Sequence, residues 1–127
     1  MAYSTISKSS SYFNTTLWTG DGNSTQNITG TGFNADWIWL KGRSGAGDHQ
    51  LYDKVRGVQK MIISNGTNAE STNSIGLQTF GSDGFTMGSD MTGSGSTFVS
   101  WNWLANGAGS SNTDGSINTT YTSGSTV

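Results

Sequence analysis

The sequence predicts an all-β fold, an antiparallel β-sandwich or jelly roll, and three observations predict it. Two stretches carry tryptophan at alternate positions, Trp37-Ile38-Trp39 and Trp101-Asn102-Trp103, and together hold four of the five tryptophans. Successive side chains on a strand point to opposite faces, so each pair places both indoles on one side of a sheet. The rest of the chain is rich in Gly, Ser, Thr and Asn, including 19 glycines. The turn pairs Asp21-Gly22, Asn65-Gly66, Asp83-Gly84 and Asn106-Gly107 recur between short apolar runs. Many short strands punctuated in this way are the pattern of a sandwich or jelly roll.

Taken in order, residues 1–11 are polar and Ser-rich and read as a docking arm with Tyr3 and Ile6 as anchors, or equally as a frayed terminus. The sandwich is expected over residues 12–105, with strands at 15–19, 25–29, 36–41, 50–53, 60–64, 76–80, 85–88 and 97–104. In 97–104, Val99, Trp101 and Trp103 share a face while Ser100 and Asn102 share the other, the pattern of a half-buried antiparallel strand. In 36–41 both faces are apolar, Trp37 and Trp39 against Ile38 and Leu40, so cover is expected on both sides, from the facing sheet and from a loop or neighbouring subunit. The expected core is therefore Trp37, Trp39, Val99, Trp101 and Trp103, and truncating Trp39 or Trp101 to alanine is expected to cost about 3–5 kcal/mol. Residues 106–127 have a flexible Gly/Ser/Asn/Thr linker composition in which Ile117, Tyr121 and Val127 are scattered. They read as a lead into further structure or as a plain tail.

Composition narrows the function. With 127 residues and 31% hydrophobic content, one domain with a lean core is expected. The formal net charge is −2 and charged residues make up 11%, so no basic surplus points to nucleic acid. No apolar run is long enough for membrane insertion. Cysteine is absent, which excludes disulfides and thiolate metal sites. The first eight residues lack the basic start and apolar stretch of a secretory leader, which fits release by lysis or a leader missing from this segment. Proline is also absent, so edge strands need another form of protection, and burial in an assembly supplies it.

Catalysis is not expected. Glu70 is the sole glutamate, in the polar stretch 65–73, and no strand carries the two carboxylates a glycosidase needs. His49 follows Asp48 in a Gly-rich loop without a nucleophile-elbow pattern. Asp83 and Asp90 flank residues 84–88 without calcium-loop spacing, and Asp83 reads as a turn residue, so neither metal nor cofactor is expected. Five of the six basic residues, Lys41, Arg43, Lys54, Arg56 and Lys60, fall in one central stretch that reads as a solvated face, with Arg43 and Arg56 as candidate subunit contacts. Trp18, beside a Gly-rich turn and Asp21, is the candidate platform for stacking a sugar ring.

The ordered series Tyr12-Phe13-Asn14-Thr15, Gly32-Phe33-Asn34-Ala35-Asp36-Trp37-Ile38-Trp39-Leu40-Lys41, Ser82-Asp83-Gly84-Phe85-Thr86-Met87-Gly88 and Phe98-Val99-Ser100-Trp101-Asn102-Trp103 resembles a domain recurrent in structural proteins of tailed phages, notably marine ones. The resemblance spans roughly residues 11–118. In such domains a proline often precedes the Asp-Trp pair; Ala35 stands there in this chain. The resemblance implies a concanavalin-like sandwich located in the virion, as a tail-fibre, capsid-decoration or host-attachment protein, and offers no catalytic residues to carry over. The expectation is a virion surface structural protein that docks through its N-terminal part and directs the remainder outward toward host attachment. Its partners would be other virion proteins and itself, with a trimer favoured by analogy to phage fibres. The alternative is a carbohydrate-binding module that recognises a host-surface glycan directly, and a lytic enzyme ranks third.

Overall fold

The computed structural model describes residues 8–105, so Tyr3, Ile6 and the 106–127 stretch lie outside the described residues. Nine strands follow in chain order: β1 (Phe13–Thr19), β2 (Thr25–Thr29), β3 (Trp37–Gly42), β4 (Gln50–Asp53), β5 (Lys60–Ile63), β6 (Ser71–Thr72), β7 (Leu77–Gly81), β8 (Gly84–Gly88) and β9 (Thr97–Trp103). Short 3₁₀ turns lie at Ser9–Ser11 and Ser89–Met91. All pairings are antiparallel, and they build a six-stranded sheet in the order β1-β9-β3-β4-β5-β6 and a three-stranded sheet in the order β2-β8-β7. The domain is a β-sandwich, as alternation and turn chemistry predict. Strands expected at 25–29 and 50–53 have those bounds, and the other expected strands differ at their ends by one or two residues. The two-residue β6 falls in a stretch read as loop, because Ser71 and Thr72 carry no apolar alternation.

The β7–β8 hairpin turns through Ser82-Asp83, with Gly81 opposite Gly84. Gly84 has φ of +149°, and a Cβ there would run into the Ile28 carbonyl of β2, so only glycine lets β8 lie flush beside its neighbour. Asp83 then latches the β2–β3 connection: its Oδ1 accepts from the Gly32 N–H at 2.6 Å and its carbonyl from the Gly30 N–H at 3.0 Å.

Between the sheets lie Ile38, Leu40, Tyr52 and Phe98 from the larger one and Ile28, Leu77, Phe85 and Met87 from the smaller, joined by Phe33, Ala35 and Met91 from connections. Each large aliphatic or aromatic side chain so buried contributes about 1.5–3 kcal/mol before ordering entropy.

The tryptophans expected in this core are not in it. Alternation is as predicted, but the faces are reversed: Trp37 is 36% exposed, Trp39, Trp101 and Trp103 are half-buried, and all four stand on the outer face of the six-stranded sheet. Val99 is buried on that same outer face, between Leu17 and Lys41, and is outside the core cluster. Ser100 and Asn102, read as solvent-facing, point inward and are fully buried. The physical reason is what covers them. Asn14 Nδ2 reaches over to donate to the Gly30 and Thr31 carbonyls at 3.3 and 3.1 Å, so loop backbone lies against this end of the inner face. Backbone carbonyls need partners when buried, and Asn14 supplies them to the loop where an indole would not, with Thr16, Ser100 and Asn102 bonded to one another beside it. Asn102 Nδ2 donates to the Asn14 carbonyl and to Ser100 Oγ, both at 3.0 Å.

Candidate functional site

Register arranges the outer face of the six-stranded sheet in rows. The first row runs Phe13, Trp103, Trp37, Asp53; the second Thr15, Trp101, Trp39, Leu51, Ile62; the third Leu17, Val99, Lys41. His49, just before β4, continues the third row, with its ring 6.4 Å from that of Trp39. In the first row the Phe13 and Trp103 centroids are 5.0 Å apart, and Trp103 stacks on Trp37 at 4.3 Å with planes 27° apart. In the second, Trp39 and Trp101 are 5.3 Å apart. Trp103 and Trp37 thus meet face to face and the other two pairs meet at a tilt, the cross-strand pairing that stabilises sheets. Phe13 is 39% and Leu17 58% exposed, and Val55 at the rim is 84% exposed, so an apolar patch five strands wide meets solvent.

The outer face of the three-stranded sheet is built differently. Thr79 Oγ1 donates to Thr86 Oγ1 at 2.8 Å, and Thr86 Oγ1 donates to Asn27 Oδ1 at 2.7 Å, a hydroxyl and amide ladder across β7, β8 and β2. This is the ordinary solution for a sheet face in water.

Trp18, the expected sugar platform, is packed inward on the inner face of β1. Its ring stacks on Phe98 at 5.3 Å, sits edge-on to Phe85 at 5.8 Å, and its Nε1–H donates to the Met91 carbonyl at 3.1 Å. Trp18 is therefore the tryptophan that packs against the core, while the four expected there stand on the outer face. Alternation places 14, 16 and 18 on one side of β1, and that side is inner because Trp18 meets Phe98 and Asn14 meets the loop there, while Phe13 and Leu17 on the other are exposed. Asp21 serves its own turn, accepting from the Asn23 N–H and Nδ2, both at 2.9 Å, and these bonds hold its carboxyl below the ordinary value.

Arg43 is exposed, with its backbone N–H donating to the Thr97 carbonyl at 2.7 Å. Arg56 is held within the chain, paired with Asp53 at 2.5 Å and Glu70 at 3.2 Å and donating to the Leu51 carbonyl. It ties the 65–70 loop to the end of β4 beside the aromatic face. Glu70 is thereby a surface ion-pair partner. Among the described residues no group of three His, Cys, Asp or Glu side chains is placed to hold a metal ion, and no helix is long and apolar enough to cross a membrane. Sequence reasoning did not assign Phe13, Leu17, Leu51 and Ile62 to a site. Phe13 and Leu17 were within reach, sharing parity on a strand whose other face holds Asn14 and Thr16.

A protein-family model described as a domain of unknown function, DUF7483, matches residues 8–127. The chain belongs to this family. No curated protein and no solved structure matches it.

In this DUF7483 domain one further concavity lies at the far end of the sandwich, a polar cleft of about 390 Å³ between the Gly42–Asp48 loop and the Ser89–Ser96 segment. Behind it, the buried Tyr52 hydroxyl donates to Gln50 Oε1 at 2.8 Å, Gln50 Nε2 donates to Asp90 Oδ2 at 2.5 Å, and Asn73 Nδ2 donates to the same oxygen at 2.7 Å. Burial, reinforced by the Asp90 charge, pushes the Tyr52 phenol up to about 12. This network fixes Asp90 from within the sandwich, at the wall of the cleft.

Proposed function

We infer that the chain is a structural assembly module of a tailed-phage virion, of the tail-fibre or capsid-decoration type, with a role in presenting the particle to its host. One observation carries the assembly part: a sheet face of paired tryptophans, Trp37 stacked on Trp103 and Trp39 tilted against Trp101, which no other element among the described residues covers, on a domain whose other sheet face is conventionally polar. An apolar face of this kind is stabilised by contact with another protein surface. The phage context rests on the ordered motif series described above. The module is read as working by binding: Asp21 and Asp83 serve turns, Asp36, Asp53 and Glu70 form ion pairs, and Asp90 is held by Gln50 and Asn73.

The direct test is location. Antibody raised against the purified chain should label intact particles from a lysate, and particles purified to homogeneity should contain the chain by mass spectrometry. Its absence from them would end the virion reading. A second reading, glycan recognition, is favoured by the polar cleft, which offers Asp48, Gln50 and Asp90 to sugar hydroxyls. Glycan-array binding that disappears in Asp48→Ala, with the fold intact by circular dichroism, is the result that supports it.

A further inference from the structure

We propose that the aromatic face of the six-stranded sheet docks on the same face of a second copy of this chain, forming a two-fold dimer whose axis crosses the strands along the Thr15, Trp101, Trp39, Leu51 row. The proposal rests on the reading of the chain as an assembly module and names its partner.

Area is the first argument. The thirteen positions of the three rows, about 4.8 Å apart across the strands and about 6.8 Å apart along them, span roughly 420 Å² in flat projection. Two such faces bring together about 840 Å² in projection, and side-chain relief and the rim raise this toward the roughly 1,000 Å² expected of a specific interface. The exposed Val55 lies at that rim. The interior of the patch is aromatic, the residue class that dominates interface energetics.

Self-complementarity is the second argument, and it selects the axis. A two-fold axis relating two stacked sheets lies in the plane between them. If it runs across the strands through the second row, the first row of one copy meets the third row of the other. Phe13 then faces Leu17, Trp103 faces Val99, Trp37 faces Lys41 and Asp53 faces His49. Apolar groups meet apolar groups, an ammonium meets an indole, and a carboxylate meets an imidazole. If the axis runs instead along the strands, between β9 and β3, Asp53 is set against Phe13 and Lys41 against Val99, burying two charges on hydrocarbon. Only the first arrangement matches chemistry at every strand. Face-to-face sheets related in this way pack as the two layers of a sandwich do, with strands roughly aligned. A closed two-fold pair, rather than the three-fold fibre arrangement, follows because one flat face satisfies itself with a single partner.

The absence of cysteine makes the test direct. Residues of the second row lie on the axis, so Thr15, exposed on β1, meets its own counterpart. In the full chain, Thr15→Cys should be captured as a covalent dimer by a short bis-maleimide at micromolar concentration, while Thr79→Cys, on the hydroxyl face, should not. Leu17→Asp added to Thr15→Cys should weaken association by at least about tenfold in sedimentation equilibrium. Equal capture through both cysteines, no capture through Thr15→Cys, or a wild-type chain that sediments as a monomer at high micromolar concentration each overturns the dimer. A monomer that is nonetheless found in purified particles overturns the dimer alone and leaves the virion reading standing, with another virion protein on the aromatic face.

Discussion

The two outer faces of this sandwich solve opposite problems with the same strand geometry. On the three-stranded sheet, Asn27, Thr86 and Thr79 bond to one another side to side, and the face is finished toward water. On the six-stranded sheet the equivalent rows hold Phe13, Trp103 and Trp37, then Trp101 and Trp39. Both are cross-strand ladders, and both stabilise register. The difference lies in what the ladder leaves outside. A hydroxyl row leaves polar atoms facing solvent, whereas an indole row leaves apolar edges that gain by leaving it. Four of the five tryptophans of this lean chain stand on that outer face, the face the proposed dimer would bury.

This contrast can be broken or sharpened by measurement. The largest effect belongs inside: Leu40→Ala, at a fully buried position directly between Trp39 and Lys41 in sequence, should cost about 2–5 kcal/mol in urea denaturation. A cost below that of the outward Trp37→Thr would reverse the assignment of faces. Next comes Tyr52. Its phenol stays neutral in the fold up to about 12, while the unfolded chain releases the proton near the ordinary value of 10.0. Stability should therefore be intact below pH 10 and fall by about 2–3 kcal/mol between pH 10 and 12, because over that window the folded state alone retains the proton. Tyr52→Phe should remove most of that slope, and an unchanged slope in the variant would place the titration elsewhere. Trp37→Thr, measured at dilutions where the chain is monomeric, should cost only about 0.5–1.5 kcal/mol, the worth of an aromatic pair. The same change should cut surface-dye binding and raise solubility. Smallest is Thr86→Ala, which removes the middle of the hydroxyl ladder and should cost about 0.2–1 kcal/mol with no effect on association. An effect on association equal to that of Trp37→Thr would erase the distinction between the faces.

How much of this was legible in the sequence follows from what a period of two encodes. Alternation located β3 and β9 and put Trp37 with Trp39 and Trp101 with Trp103, because geometry demands it. It does not say which side is inside. On β3 both sides are apolar, and on β9 the inward side is Ser100 and Asn102, whose burial makes sense only once the loop backbone near Thr31 lies over them. That contact joins residues far apart in the chain, and no local pattern announces it. Trp18 was misread for the same reason: the Gly-rich turn beside it suggested exposure, while its packing partners Phe85 and Phe98 arrive from other strands. The aromatic face as a site was half visible, through the apolar-on-both-sides strand 36–41 and the expectation that a loop or a neighbouring subunit covers its second face. Its extension to Phe13 and Leu17 depended on β1 pairing with β9.

That pairing has a mechanical consequence. Phe13, the first residue of β1, lies opposite Trp103, the last of β9, so the chain arrives at the sandwich and leaves it at adjacent points, roughly 5 Å apart. Tension applied through the two ends pulls β1 away from β9 from one end, loading the ladder bonds one after another instead of all together. A strand pair pulled in that geometry unzips under small force, while the same pair pulled lengthwise resists as a unit. Held at these two points, the sandwich would yield by peeling β1 from β9 while its two sheets stayed packed.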